Sequence, residues 1–300
     1  MTMSSIFDRE MPLPNAELSA RNHTLMGFQT RYDRVRRQLN LLIHLSDLPR
    51  WSQQHHGRQL KICDFVDDQY PLVIFHGDVG TGKTVTAEGI ANQLIEDDRD
   101  ADDSLLYKLS TRVRGAGKVG EMGTLINQAF DQMIRAAKHR RAILVIDEGD
   151  SLAAARTQDH SHHEDKVAVN TLIQRIDELK QYKGRILVIL CTNRLSALDP
   201  AVVRRAAVIE TFERPSDGER RDLFVQDLAD LGLNTDTLAA LVDATGGAGQ
   251  HGVPWTYSDI RSRLYPAALA QAYPDNGLTA EHLLQVALTL KPSPVLEDDA

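Results

Sequence analysis

The sequence predicts a three-layer α/β domain built on a parallel sheet, followed by a small all-helical domain, and three observations carry that expectation. Compact apolar runs alternate with segments of helical periodicity between residues 72 and 192. One of those runs, LVIF at 72–75, leads into GDVGTGKT at 77–84, a glycine-rich loop with the spacing that cradles phosphates. After Pro215 the apolar runs cease and only helical spacing continues. Such alternation puts helices on both faces of a parallel sheet, with nucleotide chemistry at the carboxyl ends of the strands.

Taken in order, residues 1–25 read as a loose N-terminal arm, mixed in composition, Pro-containing and without periodicity. From about Thr30, the residues Tyr32, Val35, Leu39, Leu42 and Ile43 recur at helical spacing between arginines, which predicts a linker helix. LVIF reads as a buried parallel strand and 84–96 as the helix after the loop. Further strands are expected at 104–109 (SLLYKL), 142–147 (AILVID) and 185–192 (RILVILCT), separated by helical segments at 120–138 and 165–181. The large domain therefore spans 26–213. Helical patterns at 217–231, 235–243, 257–273 and 279–288 define a small lid domain over 214–300, and the closing PSPVLEDDA reads as a frayed tail.

Composition narrows the function. A net charge of −8 and an aromatic content of 5% disfavour a general nucleic-acid binder. Cys63 and Cys191 stand far apart without a CxxC, which argues against a zinc site or a disulfide scaffold. No apolar run is long enough to span a bilayer, and MTMSSIFDREMPLP lacks a signal-peptide core, so a cytoplasmic protein without membrane contact is expected.

Three motifs carry chemistry. In the loop Gly77, Asp78, Val79, Gly80, Thr81, Gly82, Lys83, Thr84, continuing into Val85, the glycines let backbone amides wrap anionic oxygens. Lys83 would reach the β- and γ-phosphates, Thr84 would ligand magnesium, and the helix that follows would present its positive end. ILVIDEGD at 143–150 ends a strand in two carboxylates. Asp147 can hold the magnesium shell and Glu148 can polarise the attacking water, although such a pair can also simply cap a helix. RILVILCTNR ends a second strand at Asn193, an amide able to bond the γ-phosphate or the lytic water. The HSHHE stretch, with His160, His162, His163 and Glu164, has no second ligand cluster at metal spacing and reads as a polar loop.

With these residues in place, 60–290 resembles the AAA+ ATPases. DEGDSLAAAR (147–156) is similar to that family's DEADSL-x-x-x-R segment, and TNRLSALDPAVVRRA (192–206) to its TNR-x-x-x-LDPAL-x-R segment. The resemblance implies ATP and Mg2+ as cofactors, a homo-oligomeric ring, a hexamer, and an arginine that reaches the ATP of the next subunit. Arg205 is the favoured candidate and Arg204 the alternative. It also implies a second sensor in WTYSDIRSRL, for which Arg261 is the candidate, and a pore loop at KVGEMG in which Lys118, Val119 and Gly120 face the channel. VVRRAAVIETFERPS and RSRLYPAALAQAY resemble segments of the pachytene-checkpoint, thyroid-receptor-interacting branch, whose members remodel HORMA-domain proteins. Bacterial members of that branch accompany cyclic-oligonucleotide antiphage signalling enzymes. The chain departs from the eukaryotic members in lacking a full adaptor-binding domain, which leaves recognition to the arm and the helix near 30–45. A nucleic-acid-directed AAA+ ATPase, a replication loader or transposition helper, is the alternative; RVRGAGK (112–118) supports it and the acidic net charge opposes it.

Overall fold

The computed structural model describes residues 6–98, 103–110, 121–138, 140–153 and 163–296. The chain begins with β1 (Phe7–Leu13), α1 (Ala16–Asn22), α2 (Phe28–Ile43), α3 (Leu48–His56) and α4 (Lys61–Asp67). Next come β2 (Leu72–Gly77), α5 (Lys83–Glu96), β3 (Ser104–Leu109), α6 (Glu121–Ala136) and β4 (Ala142–Ile146). Then follow α7 (Gly149–Leu152), α8 (His163–Leu179), β5 (Ile186–Thr192), α9 (Pro200–Val203) and β6 (Val208–Phe212). The remainder is helical: α10 (Asp217–Asp227), α11 (Thr235–Ala244), a π-helical turn at Asp259–Leu264, α12 (Tyr265–Ala272) and α13 (Ala280–Thr289).

Among the described residues, six strands form one sheet in the order β1-β3-β4-β5-β2-β6. The pairs β2/β5, β3/β4 and β4/β5 are parallel, with Leu72 opposite Val188 and Leu144 opposite both Tyr107 and Val188. Every residue of β4 and β5 is buried, which is why both read as unbroken apolar runs. Beneath them Ile126, Phe130 and Met133 of α6 and Leu172, Ile176 and Leu179 of α8 join Leu144, Ile146, Val188 and Leu190 in one core. This is the α/β class that the alternation predicts.

Two expectations need correction. The sheet is mixed, because β1 runs antiparallel to β3, from Phe7 opposite Leu109 to Leu13 opposite Ser104. The stretch read as a loose arm thus supplies an edge strand and a capped helix, the Asn15 side chain accepting the N–H groups of Glu17 and Leu18. Only Phe7 and Leu13 of β1 are buried, so it lacks the alternation that marks a strand. The tail, in turn, is tied down as far as Leu296. Ser293 donates its N–H and hydroxyl to Asp259 Oδ1 (3.1 and 2.7 Å), and the Leu296 N–H donates to Asp78 Oδ1 (2.9 Å).

Two compact units divide the chain. One holds residues up to His76 with Thr84–Thr211; the other holds Gly77–Lys83 with the residues from Phe212 onward.

Candidate functional site

The phosphate loop belongs to the second unit, and its shape depends on glycine. Gly77 has φ 139°, and a Cβ there would lie 2.0 Å from the Phe212 carbonyl oxygen. Gly80 has φ 79°, and its Cβ would fall 2.7 Å from Thr256 Oγ1. Only a residue without a side chain can hold the backbone that close. Lys83 is buried and donates to the carbonyl oxygens of Gly77 (2.8 Å) and Asp78 (2.7 Å), while the Thr81 hydroxyl donates to Asp78 O (2.8 Å). The loop therefore wraps around an ammonium group.

Two residues that the sequence reading missed hold this loop. Arg214 donates from Nε to Asp78 Oδ2 (2.6 Å), from Nη1 to Pro254 O (2.8 Å) and from Nη2 to Ser293 O and Pro294 O (3.0 and 2.8 Å). Asp259 forms a reciprocal cap with Thr256, accepting its N–H and hydroxyl (both 3.0 Å) and donating its own N–H to Thr256 Oγ1 (3.1 Å). The adjacent Ser258 N–H reaches Gly80 O (3.2 Å). The T-x-x-D spacing of TYSD could have disclosed this cap. No local signal marks Arg214, whose acidic partner lies 136 residues earlier.

Both contacts make predictions. The Arg214 and Asp78 side chains are only 7% and 10% exposed, so Arg214→Ala leaves a carboxylate buried without its cation. A loss of about 3–5 kcal/mol is expected in denaturant unfolding. Burial works to raise the Asp259 pKa, but hydrogen bonds from Ser293, Thr256 and Arg263 outweigh it and hold the carboxyl below the ordinary range. Its stabilising contribution is therefore present at neutral pH and is lost as pH falls through the lowered folded-state pKa. In thermal melts, the gap between the unaltered chain and Asp259→Asn should narrow on acidification.

In the first unit, Thr84 in the opening turn of α5 donates its hydroxyl to Asp147 Oδ1 (2.8 Å), which also accepts the Glu148 N–H (2.9 Å). Asp147 follows directly on β4, so a fully buried strand delivers its carboxylate. Glu148 caps α7 in the left-handed region (φ 50°, ψ 47°), a conformation costly for a residue with a Cβ and concentrated at functional sites. Gly149 makes the turn possible, since a Cβ there would lie 2.3 Å from Leu190 Cδ2. The Glu148 side chain is exposed. At the end of β5, the Thr192 hydroxyl donates to Asp150 Oδ1 (3.1 Å) and accepts the Arg194 N–H (3.2 Å). That leaves Asn193 half-buried at the strand tip, its amide making no hydrogen bond to a described residue.

The two adjacent arginines differ sharply. Arg205 donates from Nε and Nη2 to both carboxylate oxygens of Asp177 (2.5 and 2.9 Å) and from Nη1 to Ala201 O (2.8 Å), with its guanidinium 5.2 Å from the centre of the Tyr70 ring. Arg204 is exposed and pairs with no described acidic group. Arg261, in the π-helical turn, donates to both carboxylate oxygens of Asp227 (2.7 Å each). Lys118, Val119 and Gly120 lie outside the described residues, as do His160 and His162.

The second unit thus holds a glycine loop closed on a buried lysine, and the first holds a threonine hydroxyl bonded to a strand-end aspartate with a glutamate beside it. Residues 73–214 match the family described as ATPase family associated with various cellular activities (AAA). Over 299 residues the chain is 56% identical to CD-NTase-associated protein 6 of Escherichia coli strain KTE188, covering 99% of this chain and 100% of that protein. A chain of the E. coli MS115-1 HORMA:CdnC:Trip13 complex is 38% identical with a TM-score of 0.87, covering 99% of this chain and 100% of that one. Rhizobiales Trip13 is 30% identical with a TM-score of 0.69, covering 96% and 99%. The chain belongs to the AAA ATPase family, in its Trip13-like branch. Among the described residues, no helix is long and apolar enough to cross a membrane.

Proposed function

We propose that this chain hydrolyses ATP with Mg2+ as a cytoplasmic ring of identical subunits, a hexamer, and uses turnover to disassemble or refold a HORMA-domain protein in an antiphage signalling system. Its end-to-end likeness to a chain of the HORMA:CdnC:Trip13 complex is the observation that supports this most. The residues also fit the cofactors. The Thr84 hydroxyl already bonds the Asp147 carboxylate at 2.8 Å, a donor set of hard oxygens suited to magnesium. When bound, magnesium would neutralise charge on the β- and γ-phosphates.

Each residue then has a role. Amides of the loop from Gly77 to Lys83, with those of Thr84 and Val85, hold the phosphates, and the Lys83 ammonium exchanges the carbonyls of Gly77 and Asp78 for phosphate oxygens. Thr84 would ligand the metal and Asp147 would hold its water shell. Glu148 orients the attacking water and accepts its proton, and Asn193 bonds that water or the γ-phosphate. The pairing of Arg205 with Asp177 favours Arg204 over Arg205 as the arginine that acts in trans. Arg205 is committed to Asp177 and Tyr70, so the exposed Arg204 acts on the ATP of the neighbouring subunit. Arg261, held by Asp227, is the candidate second sensor. Lys118, Val119 and Gly120 grip the partner in the channel.

The test uses a purified HORMA-type protein bound to its nucleotidyltransferase, incubated with this ATPase and analysed by size-exclusion chromatography. Release of the nucleotidyltransferase is expected with ATP and not with a non-hydrolysable analogue. Equal release with both, or with Glu148→Gln, would contradict coupling to hydrolysis.

A further inference from the structure

The helix that opens at the phosphate loop carries a buried carboxylate the roles above do not use. Glu88, one turn beyond Thr84 on α5, has a side chain only 4% exposed. A carboxylate so deep must be matched by positive charge. Among the described residues, three cations surround it: Arg21 of α1 (2.9 Å), Arg9 of β1 (3.3 Å) and Lys108 of β3 (3.4 Å). Lys108 is shared, because its ammonium also lies 3.8 Å from Asp147 Oδ2.

Sheet register explains the sharing. Lys108 pairs with Val145 across the β3/β4 ladder, and Asp147 stands two residues further along that chain. Asp147 Oδ1 is taken by the Thr84 hydroxyl and the Glu148 N–H, so the charge of Lys108 falls on the other oxygen. The carboxylate is thus oriented from three sides.

The opposite end of the network is anchored in the first strand and helix. Besides Glu88, Arg21 donates to the Val85 carbonyl (3.3 Å) in the opening turn of α5. Asn22 Nδ2 donates to Gly89 O (3.2 Å), and Asn92 Oδ1 accepts the Asn15 N–H (2.6 Å). Gly89 permits this approach, since a Cβ there would lie 2.2 Å from Asn22 Oδ1. Helix α1 therefore lies along the helix that bears Thr84.

We propose that Lys108 is a positioning residue for ATP hydrolysis, and that through Glu88 it links β1 and α1 to the metal-binding carboxylate of Asp147. The inference rests on the ATPase reading above. Lys108 divides its charge between two carboxylates, so the cations on Glu88 determine how much is left for Asp147. With Arg9 and Arg21 in place, Glu88 is satisfied and Lys108 stays within reach of Asp147. Without them, Glu88 draws Lys108 away and Asp147 loses its third constraint. The N-terminal segment thereby acts on turnover without touching nucleotide.

The test compares the full chain with Lys108→Met, which keeps the aliphatic stem, and Lys108→Arg, which keeps the charge. Lys108→Met should lower kcat about tenfold with KM for ATP little changed, and Lys108→Arg should recover much of the loss. Removing the competing cation should also reduce the Mg2+ needed to tighten a fluorescent ATP analogue by roughly threefold, measured in the Glu148→Gln background. A purely structural role would not lower kcat while easing the Mg2+ requirement. Arg21→Met, which leaves Lys108 intact, should lower kcat in the same direction and leave Mg2+-free binding of the analogue unchanged. Normal kcat in both Lys108→Met and Arg21→Met, or losses that track melting temperature alone, would overturn the proposal. Failure of the unaltered chain to hydrolyse ATP would instead overturn the ATPase reading and this proposal with it.

Discussion

Glu148→Gln is expected to reduce ATP turnover by about 10²- to 10⁴-fold while leaving ATP affinity near its original value. The substitution keeps the size and shape of the side chain and removes only its ability to accept a proton. The groups expected to hold nucleotide, Lys83, Thr84 and Asp147, keep their hydrogen bonds, because the Glu148 contact to Asp147 is made by the backbone N–H. The left-handed turn at 148 depends on the packing of Gly149 against Leu190, which glutamine leaves intact. Single-turnover hydrolysis and equilibrium binding of ATP check the two halves separately. Near-normal turnover under saturating ATP and Mg2+ would remove Glu148 from the role. Lys83→Ala should do the reverse and weaken ATP binding itself, since it deletes the cation around which the loop closes.

The second large effect separates two neighbouring guanidinium groups. Arg204→Ala is expected to lower turnover about 10³-fold or more, the cost of losing a charge supplied in trans, while melting at an unchanged temperature. Arg205→Ala should show the opposite balance, losing about 2 kcal/mol of stability with the paired hydrogen bonds to Asp177. A mixing experiment isolates the action in trans. Rings assembled from Arg204→Ala and Glu148→Gln subunits contain some interfaces where an intact glutamate faces an intact arginine, so part of the activity should return. If mixed rings form, as native mass spectrometry can show, and no activity returns, Arg204 does not act across the interface.

How far the sequence discloses this molecule depends on how local each contact is. The central strands were legible because residues such as Ile143–Ile146 and Leu187–Leu190 are buried on both faces, which forces continuous apolar runs. The phosphate loop was legible because its glycines, lysine and threonine are consecutive. Strand β1 was not, since its burial is confined to Phe7 and Leu13. β6 escaped for a similar reason, with Ile209 exposed between buried Val208 and Phe212. Charge pairs across long separations were also invisible: Arg214 with Asp78, and Glu88 with Arg9, Arg21 and Lys108. Sequence alone likewise does not show which of the adjacent Arg204 and Arg205 pairs with Asp177, because that partner lies 28 residues away.

A motor that acts on a folded protein and not on nucleic acid should respond to the two differently. The steady-state ATPase rate of the full chain, taken alone, with a purified HORMA-type protein, and with single- and double-stranded DNA, separates them. The rate should rise with the HORMA protein, saturating with its concentration, and should not rise with either DNA. Stimulation by DNA, with none from any HORMA-type protein, would contradict action on a folded protein and establish the nucleic-acid-directed alternative.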